Sequence, residues 1–165
     1  MKKIEVVNLH KFLVNNEKFG KMGTSKVTLV MMLVKMGKVV DDYNNTQKEV
    51  LEKLKKECEN WDENLMKAQT YEAYKMALAD KEAGKEVSED RLKEPEFTEE
   101  TYRAYMDGDY KKVIEPLEQA MREEGDKEAD LDYKKFDEQG FSEWIEANNI
   151  DALVAASLAQ YLLDM

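Results

Sequence analysis

The sequence predicts a mainly α-helical protein built around one long helix or helical hairpin over about residues 26–83. Charged residues make up 37% of the chain, well above the roughly 25% of a typical soluble domain. Only two prolines and seven glycines interrupt it, which favours helix over strand and loop. Apolar residues also recur at spacings of three and four over more than five heptads, the period of a helix face.

The N-terminal segment is predicted to supply a short helix that packs against the long one. Over residues 8–18, Asn8 can cap the helix, and Leu9, Phe12 and Leu13 fall on one face. Just before it, residues 4–7 favour a short strand. His10 lies beside the apolar face, where a structural histidine is a more common finding than a ligand or a base.

Thr24 and Ser25 are good caps for the long helix that follows. From Val30 to Ala68 the spacing of three and four continues without a gap, as in a coiled-coil seam. We predict that this seam mediates interactions through Val30, Leu33, Val40, Asn44, Gln47, Leu51, Leu54 and Trp61. Apolar residues at 27, 31, 34 and 36 widen the start of the seam, so we expect that end to be buried by more than one neighbour.

The middle of the seam is polar. Asn44 and Gln47 occupy positions where leucine would be more stable, and a polar residue there can fix register or oligomeric state. The alternative is a break over residues 41–46, with Thr46 capping a second helix. The unbroken spacing favours a continuous helix that ends near Gly84.

The second half divides into a linker at 84–97, closed by Pro95, and an acidic helical segment at 98–165. Helices are predicted over about 99–106, 110–124 and 152–163, with Pro116 kinking or restarting the second. Residues 130–136 could form a strand that pairs with residues 4–7 as one small two-stranded β element. With the helical segment 1–83, these parts are expected to form a single domain.

Charge is distributed unevenly along the chain. Residues 1–83 hold 15 basic and 13 acidic groups, whereas residues 84–165 hold 10 basic and 23 acidic groups. One interpretation is that the two parts attract each other, or that each is simply a solvated surface. The other is that a basic patch near the N-terminus binds an anionic partner. That patch comprises Lys2, Lys3, Lys11, Lys18, Lys21 and Lys26. The acidic half repels phosphate, which disfavours nucleic acid as a partner and permits an acidic decoy of nucleic acid.

No motif for catalysis, a cofactor or a metal is found. The acidic residues at 126, 128, 130 and 132 alternate as in a calcium loop, but Leu131 replaces the glycine that such a loop needs. Cys58 is the single cysteine, so we expect no internal disulfide and a buried structural thiol. We predict no catalytic residue, cofactor or metal ligand, which favours a non-enzymatic protein; a small enzyme or ligand binder with helix-borne carboxylates stays open.

The chain is also expected to be cytoplasmic and to make no membrane contact. No apolar core follows Lys2 and Lys3, so no secretory signal is predicted. The most apolar stretch, residues 27–40, contains Lys35 and Lys38 and is shorter than the roughly 20 residues that a membrane span needs. The expected partner is a protein, or a second copy of the chain bound through the long helix.

The order of these segments resembles that of small uncharacterised helical proteins from tailed bacteriophages and prophages. The matching parts are residues 8–13, residues 27–54 with Tyr43, and residues 131–144. The stretch from about 85 to 125 has no counterpart in that layout. The resemblance implies a phage accessory or assembly role and carries over no functional residue. The sequence thus predicts an interaction or assembly protein that acts through helix–helix contacts.

Overall fold

A computed structural model describes residues 1–18 and 22–164, and the prediction of a mainly α-helical protein is confirmed. The helices are α1 (Lys3–Asn15), α2 (Ser25–Leu54), α3 (Trp61–Glu82), α4 (Glu99–Tyr105), α5 (Lys111–Asp126), α6 (Glu138–Asn148) and α7 (Ala152–Leu162). Extended pairing in the described ranges is limited to two isolated bridges, Lys2 with Glu128 and Phe136 with Leu163. No helix in the described ranges has the length and apolarity needed to cross a membrane.

The chain divides into two compact units. Unit 1 comprises Met1–Thr46 and Arg122–Met165, and unit 2 comprises Gln47–Met121. The predicted boundaries of the linker at 84–97 both fall inside unit 2. That stretch is mostly exposed and contains a short 3₁₀ turn, Glu89–Leu92.

The long helix is continuous through Asn44, where the sequence left a break open, but it ends at Leu54. A 3₁₀ turn, Lys55–Glu57, follows, and Asn60 adopts a left-handed backbone with φ of 55° before α3 begins. The prediction of one helix over 26–83 is therefore wrong at residues 55–60. Cys58 and Trp61 keep the helical spacing because both contribute to the same apolar cluster, although the backbone between them is not helical.

The predicted strand at residues 4–7 is also wrong, because these residues form the first turns of α1. Val6, Leu9 and Leu13 are buried on one face of α1, at helical spacing. The backbone N–H of Lys2 donates to the Glu5 carboxylate at 2.7 Å and so satisfies one free donor at the helix start. A segment of four residues with three apolar side chains fits a strand and a helix equally well, and the continuation of the apolar face to Leu13 decides between them.

The core of unit 1 is built on one face of α2. Leu29, Met32 and Met36 are fully buried, and Val39 is 7% exposed. This face lies one residue earlier than the predicted seam at Val30 and its successors. The sequence could not show which of the two rows is buried, because α2 carries apolar residues on nearly every side between residues 27 and 40.

Trp144 of α6 lies at the centre of this core and is fully buried. Its ring stacks on Phe136 at 6.3 Å and on Phe141 at 5.9 Å, and meets Phe12 of α1 edge-on at 6.3 Å. The indole N–H donates to the backbone oxygen of Asn16 at 3.1 Å. One side chain thus holds α1, α6 and the segment before α6 together.

Ion pairs join the start of α1 to the end of α5 and the residues that follow it in unit 1. We call this set of ion pairs the N-terminal clasp. Its ion pairs are Met1 amine with Glu128, Lys2 with Asp126, and Lys3 with Glu124. Backbone hydrogen bonds run beside them, from Lys3 to Lys127 and from Ala129 to Met1. The basic and acidic parts of the chain therefore attract each other at the N-terminal clasp, through two lysines of the predicted basic patch. Another lysine of that patch, Lys21, lies outside the described residues.

Unit 2 has an aromatic core. Trp61 stacks on Tyr110 at 5.9 Å with an interplanar angle of 14°, and Tyr105 packs against both rings. Phe97, the last residue of the predicted linker, also contacts Tyr105 at 5.9 Å. A π-helical turn, Met106–Tyr110, precedes α5, which then continues as one helix past Pro116, so the predicted restart is wrong.

Replacing Gly140 tests the close approach of α6 to the start of α2. A Cβ atom at Gly140 would lie 2.9 Å from the Cβ of Ser25, which the α2 backbone holds in place. Gly140→Ala should lower the free energy of unfolding by about 1–3 kcal/mol, measured by urea unfolding followed by circular dichroism. Gly108→Ala is the matched control, since nothing lies within 4 Å of a Cβ there. Equal effects of the two substitutions would contradict this packing.

Glu124 should give unit 1 an acid-sensitive component of stability. The carboxylate is 8% exposed, and hydrogen bonds from Lys127 and Lys3 hold its pKa below the usual range. Glu124→Gln should lower the free energy of unfolding at neutral pH by about 1–3 kcal/mol.

The pH dependence of this effect follows from the direction of the pKa shift. Because the pKa is lower in the folded than in the unfolded protein, the contribution is complete above about pH 4.3 and disappears as pH falls through the folded value. The stability difference between parent and Glu124→Gln should therefore shrink in acid. Glu118→Gln, at an exposed position of α5, should show neither effect; a difference that persists at low pH would contradict the ionic origin.

Candidate interaction surface

Several groups that the sequence raised as candidates for a chemical site make structural contacts among the described residues. Among the described residues, no three His, Cys, Asp or Glu side chains are placed to hold a metal ion. In the acidic segment that was compared with a calcium loop, Asp126 and Glu128 are paired with cations of the N-terminal clasp. The His10 ring lies against Gly37 of α2.

The Cys58 thiol is half-buried and lies 3.9 Å from the backbone oxygen of Asp109. Burial and the nearby Asp109 carboxylate raise the pKa of the thiol, so it stays protonated at neutral pH. A catalytic cysteine needs the opposite shift. The structure thus fits the predicted structural role of Cys58.

A polar hollow of about 360 Å³ in unit 1 lies between the starts of α2 and α6. One carboxylate of its lining, Glu143, accepts hydrogen bonds from the Ser25 hydroxyl, the Gly23 N–H and the Gln139 amide. These contacts lower the pKa of Glu143, the Ser25 hydroxyl most. Glu143 therefore acts as the acceptor for donors at the start of α2, the place where negative charge is favoured.

The residues of the predicted seam are divided between the two units and differ in burial. Leu33 packs against the core of unit 1, whereas Leu51, Leu54 and Trp61 pack in the core of unit 2. Trp61 is only 5% exposed. Val40 is half-buried, and Asn44 and Gln47 are exposed. Val30 alone among the eight lies on an exposed apolar surface, at 44% exposure.

That surface is the face of α2 opposite its buried face, and we call it the outer stripe. It consists of Val27, Val30, Met31 and Val34, which are 60%, 44%, 50% and 53% exposed. Spacings of three and four place these side chains in one row over two helical turns. The sequence singled out all four positions, with Val30 in the predicted seam and residues 27, 31 and 34 expected to be buried beside it. Apolar periodicity alone does not distinguish a covered face from an open one.

Three lysines surround the outer stripe, and we call them the lysine rim. Lys26 and Lys35 lie on its two edges, and Lys38 continues it toward the C-terminal end of α2. All three are exposed, and none makes an ion pair with another described residue. Lys2 and Lys3, by contrast, are used by the N-terminal clasp.

Unit 2 offers a second candidate in the hydroxyl of Tyr105. The residue is 7% exposed, and its hydroxyl finds no hydrogen-bond partner among the described residues. Burial raises the pKa of Tyr105 to about 12. The neighbouring Tyr102 hydroxyl, in contrast, donates to Glu72. The Tyr105 hydroxyl is therefore an unsatisfied buried polar group, which costs stability.

No protein-family model, curated protein or solved structure matches the chain. The phage and prophage resemblance therefore stays a prediction.

Removing the Tyr105 hydroxyl should stabilise the protein. A buried hydroxyl without a partner costs about 1–3 kcal/mol, so Tyr105→Phe should raise the free energy of unfolding by about 1 kcal/mol, measured by urea unfolding. Tyr102→Phe is the control, and it should be neutral or destabilising because it breaks a hydrogen bond. A loss of stability with Tyr105→Phe would mean that the hydroxyl has a partner in solution.

Proposed function

We propose that this protein is a non-enzymatic interaction protein that binds an α-helix of another protein along the outer stripe. The observation that carries the proposal is the contiguous row of half-exposed apolar side chains on α2. Contiguous apolar surface on a soluble protein marks interaction sites more often than scattered apolar residues do. The resemblance to phage and prophage proteins suggests an accessory or assembly role.

The shape of the stripe favours a helix as its ligand. Its four residues form a narrow convex row, and a second helix can lay its own apolar row against it in the manner of a coiled coil. A peptide strand needs a free sheet edge, and the described residues contain no sheet.

The expected affinity of the stripe alone is low. Complete burial of a Val or Met side chain contributes about 1.5–3 kcal/mol, so covering four half-exposed side chains contributes roughly 3–6 kcal/mol. Association itself costs at least about 4 kcal/mol. The leucine row of the bound helix is covered as well and contributes a similar amount, so the apolar contact supports a weak complex that a titration can detect.

The test uses a stapled, fluorescein-labelled amphipathic helix of about three heptads, with leucine at a and d and glutamine at the flanking positions. Fluorescence anisotropy should show saturable binding to the intact protein. Met31→Glu should weaken this binding at least fivefold, because it places a charge in the middle of the stripe.

Met76→Glu is the matched control, since Met76 is an exposed methionine of α3 in unit 2, at 65% exposure. It should leave the affinity for the peptide unchanged. Absence of binding, or equal loss in both variants, would contradict the proposed function.

A further inference from the structure

The chemistry of the partner can be read from the edges of the outer stripe, given the proposed function. The lysine rim places positive charge on both sides of the apolar row, and none of its three lysines forms an ion pair with a described acidic residue. Residues 26–38 contain no aspartate or glutamate, so the charge along the outer stripe is positive although the net charge of the chain is −11. We infer that the bound helix carries acidic residues along both edges of its apolar row.

Such a helix satisfies both properties of the surface. Its apolar row covers Val27, Val30, Met31 and Val34. Its acidic flanks pair with Lys26 on one edge and Lys35 on the other, as charged flanking residues do in coiled coils. Charge complementarity of this kind sets partner choice and association rate.

A second copy of this chain fits the same surface poorly. An antiparallel pairing centred on the stripe sets Val27 of one copy opposite Val34 of the other. In that pairing the edge with Lys26 meets the same edge of the other copy, and the edge with Lys35 likewise meets its own counterpart. A parallel pairing in register sets the edge with Lys26 against the edge with Lys35. In both cases edges that carry lysine face each other, and residues 26–38 supply no acidic partner.

An anionic membrane surface is also a poor match. Lysines beside an apolar row attract acidic lipids, but the row has only four residues, and interfacial helices bury longer faces. The net charge of −11 repels an anionic bilayer as a whole. A single acidic-flanked helix needs only the local positive charge.

The experiment compares three stapled peptides with the same leucine row and with glutamate, glutamine or lysine at the flanking positions. Anisotropy titrations with the intact protein should give the tightest binding for the glutamate peptide and the weakest for the lysine peptide, about tenfold apart at low salt. Added salt should reduce this difference.

A charge-reversal variant gives the sharper test. Lys35→Glu combined with Lys38→Glu should invert the preference, so that the lysine peptide binds more tightly than the glutamate peptide. The control reverses Lys75 and Lys81, two exposed lysines of α3 without an ion pair among the described residues, and it changes the total charge equally. This control should keep the order of the parent protein.

The outcomes separate the two proposals. If none of the three peptides binds, the proposed function fails. If all three bind with equal affinity and Met31→Glu weakens each, the proposed function stands and the acidic-flanked partner is wrong. If sedimentation shows a dimer that Met31→Glu dissociates, the stripe is occupied by a second copy of the chain. If the protein binds vesicles of phosphatidylserine and phosphatidylcholine and Met31→Glu abolishes this binding, the stripe is occupied by a membrane surface. Either result overturns the inference.

Discussion

The burial of Trp144 is the interaction on which unit 1 depends. Its indole contacts aromatic rings from α1, α6 and the segment before α6, and its N–H satisfies the backbone oxygen of Asn16 just after α1 ends. A large aromatic side chain with a bonded polar tip contributes both apolar area and a fixed orientation. The inner face of α2 packs into the same cluster.

The same arrangement accounts for the open side of α2. The short helices of unit 1 cover one face of a helix that is apolar nearly all round between residues 27 and 40. Covering the inner face leaves the outer stripe in solvent, with lysines at its edges. Exposed apolar surface of this kind is a cost to solubility that a protein tolerates where a partner uses it.

Composition and periodicity predicted the helical class, the start of α2 after Thr24, and its continuity through Asn44. They could not predict which row of α2 is buried, because Leu29 and Val30 begin two equally spaced rows and only the neighbouring elements distinguish them. They also missed the break before Trp61, because spacing reports which side chains are buried and not whether the backbone between them is helical.

The candidate surface was harder to predict than the fold. The positions of the outer stripe could be listed from the sequence, but their exposure depends on how far the short helices reach around α2. The sequence also could not predict that the lysines of the rim make no ion pair. Lys3 and Lys26 look alike in the sequence, and only the fold brings Lys3 to Glu124.

The placement of the two tryptophans gives each unit its own optical signal. Trp144 is enclosed by phenylalanine rings in unit 1, and Trp61 is stacked on a tyrosine in unit 2. Both indoles are shielded from water, so each should emit at short wavelength in the native protein and shift to the red when its own core opens. With either tryptophan replaced by phenylalanine, fluorescence reports the melting of a single unit, and comparison of the two signals reveals whether the halves of this chain unfold as one cooperative body or in succession.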